Sequence, residues 1–405
     1  MNHTSHTTDL IVVGGGMAGL TAAAMVARAG RSVVLLEQAS HLGGRAATHV
    51  RNRAHLNLGA HALYCGGHAF RLLRDLRVPF TGNFPSPGRA LLFARDVPHR
   101  LPVGLGTLLA SRLLTLGEKW KLAQLLRSLP KLDARQFDRM PVSEWIEQTA
   151  RKGGLALLLR GLLRLTTYAD DAERMSAGAA LDQLKLSFAG NVWYIDGGWQ
   201  SLIDGLRARA TEHGALVRTG ATAETVETDE EGVTVRLSGG ETIRGRSAVL
   251  AVSPNVACKL LDLPVDAPLS RWAADSVPLK AACLDVVLDK LPKPDQRFSI
   301  GLDRPLYFSV HSAAAKLAPD GVAVVQLMKY LKGDDTTPAK VLEAELETFL
   351  DRLQPGWQAV VRTRRFLPGM TVATGPDDYL PFQQLQLRRF NGKSWVGFGD
   401  VLDDR

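Results

Sequence analysis

Three glycines near the N-terminus carry the first chemistry legible in this chain. Gly14, Gly16 and Gly19 stand in the run Gly14-Gly15-Gly16-Met17-Ala18-Gly19, and Glu37 follows 23 residues after Gly14. This GxGxxG spacing suits an anionic nucleotide. Gly14 permits a tight turn, Gly16 lets the main chain approach a pyrophosphate, and Gly19 lets a helix pack closely on a strand. A helix that opens here adds amide donors and the positive end of its dipole. Glu37 would accept hydrogen bonds from ribose hydroxyls, and its charge disfavours a 2′-phosphate.

The elements needed to position these groups are present. Leu10-Ile11-Val12-Val13 is apolar on both faces, as a central parallel strand should be. Leu20 to Ala29 is alanine-rich and favours a helix, and Ser32 to Leu36 predicts a second strand that delivers Glu37. A glycine-rich turn without a ligand is the bland alternative. The flanking strand, helix, strand and acid together favour dinucleotide binding.

Glu37-Gln38-Ala39-Ser40-His41-Leu42-Gly43-Gly44-Arg45 follows at once. This run resembles the second FAD motif of the flavin amine oxidase and phytoene desaturase superfamily, a motif that NAD dehydrogenases lack. The resemblance implies FAD as the cofactor, held by Gly14, Gly15, Gly16, Met17, Ala18 and Gly19, then Glu37, Gln38, Gly43, Gly44 and Arg45. Asn57-Leu58-Gly59-Ala60-His61-Ala62-Leu63-Tyr64 resembles the segment that passes the flavin ring in relatives, which adds Gly59, Ala60 and His61. A partly buried, satisfied histidine is an equal reading of His61. Thr167-Tyr168, Ser176-Ala177 and Trp193 to Trp199 resemble the phytoene-desaturase-like branch, in which Gly197-Gly198 opens a helix from Gln200 to His213. The main chain at Ala223 matches the position that meets adenine. Trp395-Val396-Gly397-Phe398-Gly399-Asp400-Val401 resembles the terminal strand, with Gly399 and Asp400 reaching the ribityl and diphosphate region. In relatives a small-residue helix then points at the flavin pyrimidine ring. Here the sequence ends at Arg405, and three expectations stay open: a weaker hold on FAD with slower reaction, a partner chain completing the flavin site, or a shortened protein.

The fold so implied is α/β: a Rossmann-like FAD-binding domain of the GR2 type with an interleaved α+β substrate-binding domain. The first would take residues 1–80, 190–262 and 371–405, and the second 81–189 and 263–370. Short strands are expected at 215–218, 222–228, 232–237 and 247–252, with 241–244 closing a hairpin. Strands at 280–289, 305–312, 322–331 and 360–366 would floor the substrate domain, with a helix from Lys340 to Leu353 whose Leu342, Leu346, Phe349 and Leu353 share a face.

The chain has 405 residues, 45% hydrophobic and 22% charged, the balance of an ordinary folded protein with a large core. Cys65, Cys258 and Cys283 are too scattered for a disulfide framework or a CxxC site. With no signal-peptide pattern and no apolar run of spanning length, the expected location is cytoplasmic. Histidines are dispersed and no metal-ligand cluster stands out. The formal charge is +8, and residues 100–139 hold eight basic side chains against three acids amid many leucines. Gly104, Gly106 and Gly117 break that segment into several short helices. They read either as a lid whose leucines are core, or as a patch for peripheral contact with an anionic membrane. Nucleic acid is excluded for want of interleaved aromatics or a recognition fold.

No catalytic side chain is named. The lysine of flavin amine oxidases would fall near Cys283 and Leu284, Lys280 comes too early, and an aromatic cage is not legible. The expected function is therefore FAD-dependent dehydrogenation or desaturation of an apolar small molecule by hydride transfer to flavin N5. A flavin amine or amino-acid oxidase is the enzymatic alternative. A non-redox lipophile-binding or partner-completed protein of the same fold is the other.

Overall fold

The computed structural model describes residues 8–374 apart from 87 and 103, together with the main chain of 384–385, 388–390, 395–397 and 402–403. Gly399 and Asp400 lie outside the described residues.

Thr8–Val13 forms the strand expected from its apolar run and turns at Gly14–Gly16 into the helix Met17–Arg28. Val33–Glu37 returns alongside it in parallel. These strands sit inside a six-stranded sheet ordered Leu216–Thr219, Val33–Glu37, Thr8–Val13, Thr242–Leu250, Gly232–Leu237, Ala223–Asp229. The first four run parallel and the last two fold back as an antiparallel ribbon. Both faces are covered, which is why the central strands are apolar throughout. On one side Ala23, Ala24 and Ala27 of the first helix pack with Leu202, Ile203 and Leu206 of the helix Gln200–Glu212. Small alanines let the two helices approach closely.

One element differs from expectation. The segments at 241–244 and 247–252 belong to one strand, Thr242–Leu250. Arg244, Gly245 and Arg246 look like a break, yet the strand pairs with Thr8–Val13 on one edge and Gly232–Leu237 on the other. A Cβ at Gly245 would press on the Ile11 side chain, so glycine here serves close strand packing.

A second sheet of seven strands runs in the order Val361–Thr374, Pro278–Leu288, Ala323–Leu331, Leu306–Val310, Phe298–Gly301, Leu91–Ala94, Val97–Arg100. Its two faces have different partners. Leu284, Val286, Phe308, Val325 and Leu327 meet the helix Ala339–Leu353 through Leu342, Leu346, Phe349, Leu350 and Leu353. The face formed by the alternate residues bears Cys283, Tyr307, Met328 and Tyr330 and is roofed by the helices Val142–Ala150, Gly154–Thr167 and Ala177–Gly190. Lys280 has the parity of Ala282 and Leu284 and so belongs to the first face, away from Cys283.

The basic, leucine-rich segment holds two α-helices, Leu105–Leu109 and Leu116–Ser128, followed by the 3-10 turns Leu129–Lys131 and Ala134–Phe137. The second opens on a reciprocal cap in which Thr115 Oγ1 accepts the Glu118 amide and the Glu118 carboxylate accepts the Thr115 amide. Leu108, Leu114, Leu122 and Leu129 are buried in the core beneath, as a lid requires. Leu116 and Trp120, one turn apart, are 82% and 68% exposed. Among the described residues no helix is long and apolar enough to cross a membrane.

Candidate functional site

The two glycine motifs meet edge to edge. Gly43 donates its amide to the Gly15 carbonyl at 2.9 Å, and Gly16 pairs with Gly43 as a parallel bridge. The Glu37 carboxylate is fixed by two main-chain donors, Gly15 at 2.7 Å and Ala39 at 2.8 Å. The two backbone amides keep it aimed at the turn. Gly14 sits at φ +111°, and a Cβ there would collide with the Ala251 carbonyl. A Cβ at Gly19 would strike the Gly14 carbonyl, so this position serves helix–strand contact, as its place in the motif suggests.

Gly16 and Gly44 behave differently. Within 4 Å a Cβ at Gly16 would meet only the Gly43 oxygen, and one at Gly44 only the Gly16 Cα, each at 3.9 Å. Packing of the described residues does not demand glycine at Gly16. The two bare backbones face each other across the mouth of the turn, beside the first turn of the helix that begins at Met17. Met17 is half-buried against the core and Ala18 is exposed. Gln38 is exposed, and the segment ahead of Ala223 lies along it: Gly220 donates to the Ala39 carbonyl and Ala221 to that of Glu37. Arg45 extends from the second motif to the Val372 carbonyl at 2.9 Å.

The Asn57–His61 segment is clamped from two sides. Asn57 Oδ1 accepts from the Thr48 hydroxyl at 2.6 Å and from the Trp199 amide at 3.0 Å. Gly198, at φ +81°, allows this approach, since a Cβ would overlap Thr48 and Asn57. From the other side Gln326 donates to the Gly59 carbonyl at 3.1 Å and to Asp285 at 3.2 Å. Arg365 joins Asp285 and donates to the carbonyls of Leu56 and Asn57. Burial pushes the Asp285 carboxyl up, and the Arg365 charge opposes the shift. Ala60 is buried, and the His61 ring packs 4.7 Å from Trp199 with Nδ1 3.0 Å from the Gly59 oxygen. Burial lowers the His61 pKa, so the imidazole is neutral near pH 7. A Cβ at Gly59 would lie 3.4 Å from Cys283 Sγ. The thiol is pushed up by burial and stays protonated.

Beyond Cys283 stands a cluster invisible in the sequence. Tyr64, Tyr168, Tyr194, Tyr307 and Tyr330 come from five separate segments and gather over the sheet face. Tyr168 meets Tyr330 edge-on at 6.3 Å, and the Tyr64 hydroxyl donates to the Thr166 carbonyl at 3.1 Å. Tyr194 stacks on His311 at 3.9 Å, and its hydroxyl lies 3.3 Å from Ser309 Oγ. Tyr307 reaches His311 Nε2 at 3.3 Å. Burial drives the His311 pKa down to about 3 and that of Tyr64 up to about 12. At neutral pH these groups carry no charge. Tyr168 itself adopts a left-handed backbone, φ 60° and ψ 16°, at the end of the helix Gly154–Thr167. That conformation is strained for a bulky side chain and is kept where the surroundings enforce it.

Tyr64, Tyr168 and Tyr194 fall within segments that carry the family resemblance, but no spacing ties them to Tyr307 and Tyr330. Asp285 had a signal: it is the lone acid in Ala281-Ala282-Cys283-Leu284-Asp285-Val286-Val287-Leu288. An acid inside a buried strand is kept only when paired. Among the described residues no group of histidines, cysteines and acids could hold a metal ion.

A largely parallel sheet with paired glycine turns, joined to a roofed, largely antiparallel sheet, defines the dinucleotide-binding oxidoreductase class of fold. The sequence profile described as flavin-containing amine oxidoreductase matches residues 17–361, and the chain belongs to that family. FAD is its cofactor, and the residues present fit it: a fixed ribose-type acid, a helix N-terminus and an unobstructed pair of glycine backbones. An uncharacterized protein of Mycobacterium tuberculosis is 26% identical over 343 residues, 72% of this chain and 62% of that protein. This chain's match thus spans less than two thirds of that relative. An oxidoreductase structure from Methanosarcina mazei superposes with TM-score 0.73 at 16% identity, covering 89% of this chain and 88% of that one. Putrescine oxidase bound to putrescine gives 0.71 at 18% identity, covering 89% and 84%.

Proposed function

We propose that this chain is an FAD-dependent oxidoreductase that dehydrogenates a largely apolar, uncharged small molecule. The observation that carries the reading is the relation of Gly59 to Cys283. The segment expected to border the flavin ring lies against the Met370 thioether and the protonated Cys283 thiol instead of a lysine, and the charges that hold it, Asp285 and Arg365, are paired with each other. FAD, when bound, supplies a two-electron acceptor for a substrate C–H.

In this proposal Gly14 to Gly19, Gly43 and Gly44 cradle the diphosphate. Glu37 takes the ribose hydroxyls, Gln38 and Ala223 border the adenine end, and Arg45 steadies the second turn. The Asp285–Arg365 pair holds Asn57 to His61 in one place through main-chain carbonyls. The tyrosine cluster excludes water and orients substrate. We place residues 1–80, 190–262 and 371–405 with the cofactor, and 81–189 and 263–370 with the substrate. We further propose that a lipophilic substrate arrives from an anionic bilayer, over the face that bears Leu116 and Trp120. The desaturase-like reading rests on the pairing of the charges nearest the tyrosines, Arg164 with Asp170 and Asp285 with Arg365. The family description keeps an amine oxidase as the second reading.

The deciding measurement is the visible spectrum of protein purified alone and after adding FAD. Flavin bands that remain through gel filtration are expected. A colourless protein that refuses FAD overturns the proposal. Peroxide release with amines but not with uncharged substrates would move the assignment to the second reading.

A further inference from the structure

Two buried polar atoms in the tyrosine cluster have no hydrogen-bond partner among the described residues: the Tyr330 hydroxyl and Gln183 Oε1. Tyr330 is 2% exposed and Gln183 8%, so each is shut away from bulk water. Buried polar groups left open in this manner are costly and are found where something else satisfies them. They belong to one place. The helix Ala177–Gly190, which carries Gln183, packs on the strand Leu63–Tyr64 and shares the core cluster of Tyr330, and the nearby Tyr64 hydroxyl adds to the rise in the Tyr330 pKa. The strained main chain of Tyr168 sets its ring edge-on to Tyr330.

The charges nearest this place are already spent. Arg164 pairs with Asp170 at 2.7 Å and donates to the carbonyls of Gly301 and Arg304. Asp285 is taken by Arg365 and Gln326. An ammonium or a carboxylate entering the cluster would lose its hydration and meet no counter-charge. A neutral group that both accepts and donates would satisfy both open atoms.

We propose that Tyr330 and Gln183 form a polar subsite that selects substrates bearing a neutral hydroxyl or carboxamide, Tyr330 donating to it and Gln183 accepting from it. The inference rests on the oxidoreductase reading above and narrows its substrate class to apolar molecules with one such group.

The test uses three probes of one shape on the FAD-loaded protein: benzyl alcohol, ethylbenzene and benzylammonium. Calorimetric titration is the readout. Benzyl alcohol should bind most tightly. Tyr330→Phe keeps the ring and should weaken benzyl alcohol roughly fivefold to tenfold, the range of one neutral hydrogen bond, while leaving ethylbenzene unchanged. Gln183→Leu should act in the same direction. FAD content, read from the visible bands, reports separately on the oxidoreductase reading. If FAD is held and benzylammonium binds as tightly as benzyl alcohol, the subsite proposal fails and the parent reading stands. Unchanged benzyl alcohol affinity in Tyr330→Phe also overturns it.

Discussion

Arg365 and Asp285 meet 2.5 Å apart with side chains 7% and 0% exposed, and the same guanidinium holds the carbonyls of Leu56 and Asn57. The pair thus ties the edge strand Val361–Thr374 and its neighbour Pro278–Leu288 to the segment expected to border the flavin. Removing one partner strands the other charge in the interior. Asp285→Ala should cost about 3–5 kcal/mol in urea unfolding, whereas the double change Asp285→Leu with Arg365→Met should cost less than the two single changes together. Additive losses would show that the pair does not act as a unit.

The glycines separate folding from cofactor binding. Gly19→Ala collides with the Gly14 carbonyl and should lower the melting temperature together with FAD affinity. Gly16→Ala meets no backbone closer than 3.9 Å, so the melting temperature without cofactor should hold while FAD binding falls. Thermal melts with and without FAD distinguish the two. An apo Gly16→Ala protein that melts as low as Gly19→Ala would contradict the assignment of the Gly16 face to the diphosphate.

His311 makes stability depend on pH. Its folded pKa of about 3 lies below the unfolded value of 6.5. The unfolded chain therefore takes up the proton first, and the stabilising effect of neutral His311 is full above pH 6.5 and lost as the pH falls towards 3. Between pH 7 and pH 5 this amounts to about 2 kcal/mol. Denaturant midpoints at both pH values should show that drop in the native protein and a smaller one in His311→Gln.

Leu116 and Trp120 project from a helix that also carries Lys119, Lys121 and Arg127. Flotation with vesicles containing phosphatidylserine should capture the protein at low salt and release part of it at high salt. Leu116→Ser with Trp120→Ser should abolish flotation without altering flavin content. Failure to float at any salt concentration would leave the two helices as a lid alone.

Local pattern made half of this molecule readable. The first βαβ unit, Glu37 and the helix Ala339–Leu353 announce themselves through runs, spacing and a repeating face within a few turns of chain. The tyrosine cluster could not, because Tyr64 and Tyr330 are brought together by the stacking of the sheet under its helices. The strand Thr242–Leu250 was obscured by Arg244 and Arg246, whose polarity signalled a turn while two neighbouring strands held the segment straight. The paired Asp285 shows the same limit: an acid in an apolar strand signals a partner, and only the fold says which.

The parallel pairing of Thr8–Val13 with Thr242–Leu250 also fixes a timetable. During synthesis the first strand leaves the ribosome more than 220 residues before the strand that seals its open edge. At typical elongation rates that is roughly ten seconds to most of a minute. Through that interval the glycine turns exist without the sheet that holds them. A nascent chain arrested before residue 240 should be sensitive to protease and unable to retain flavin. Cofactor capture is thus a late event in the life of this polypeptide, set by the order in which its strands are made.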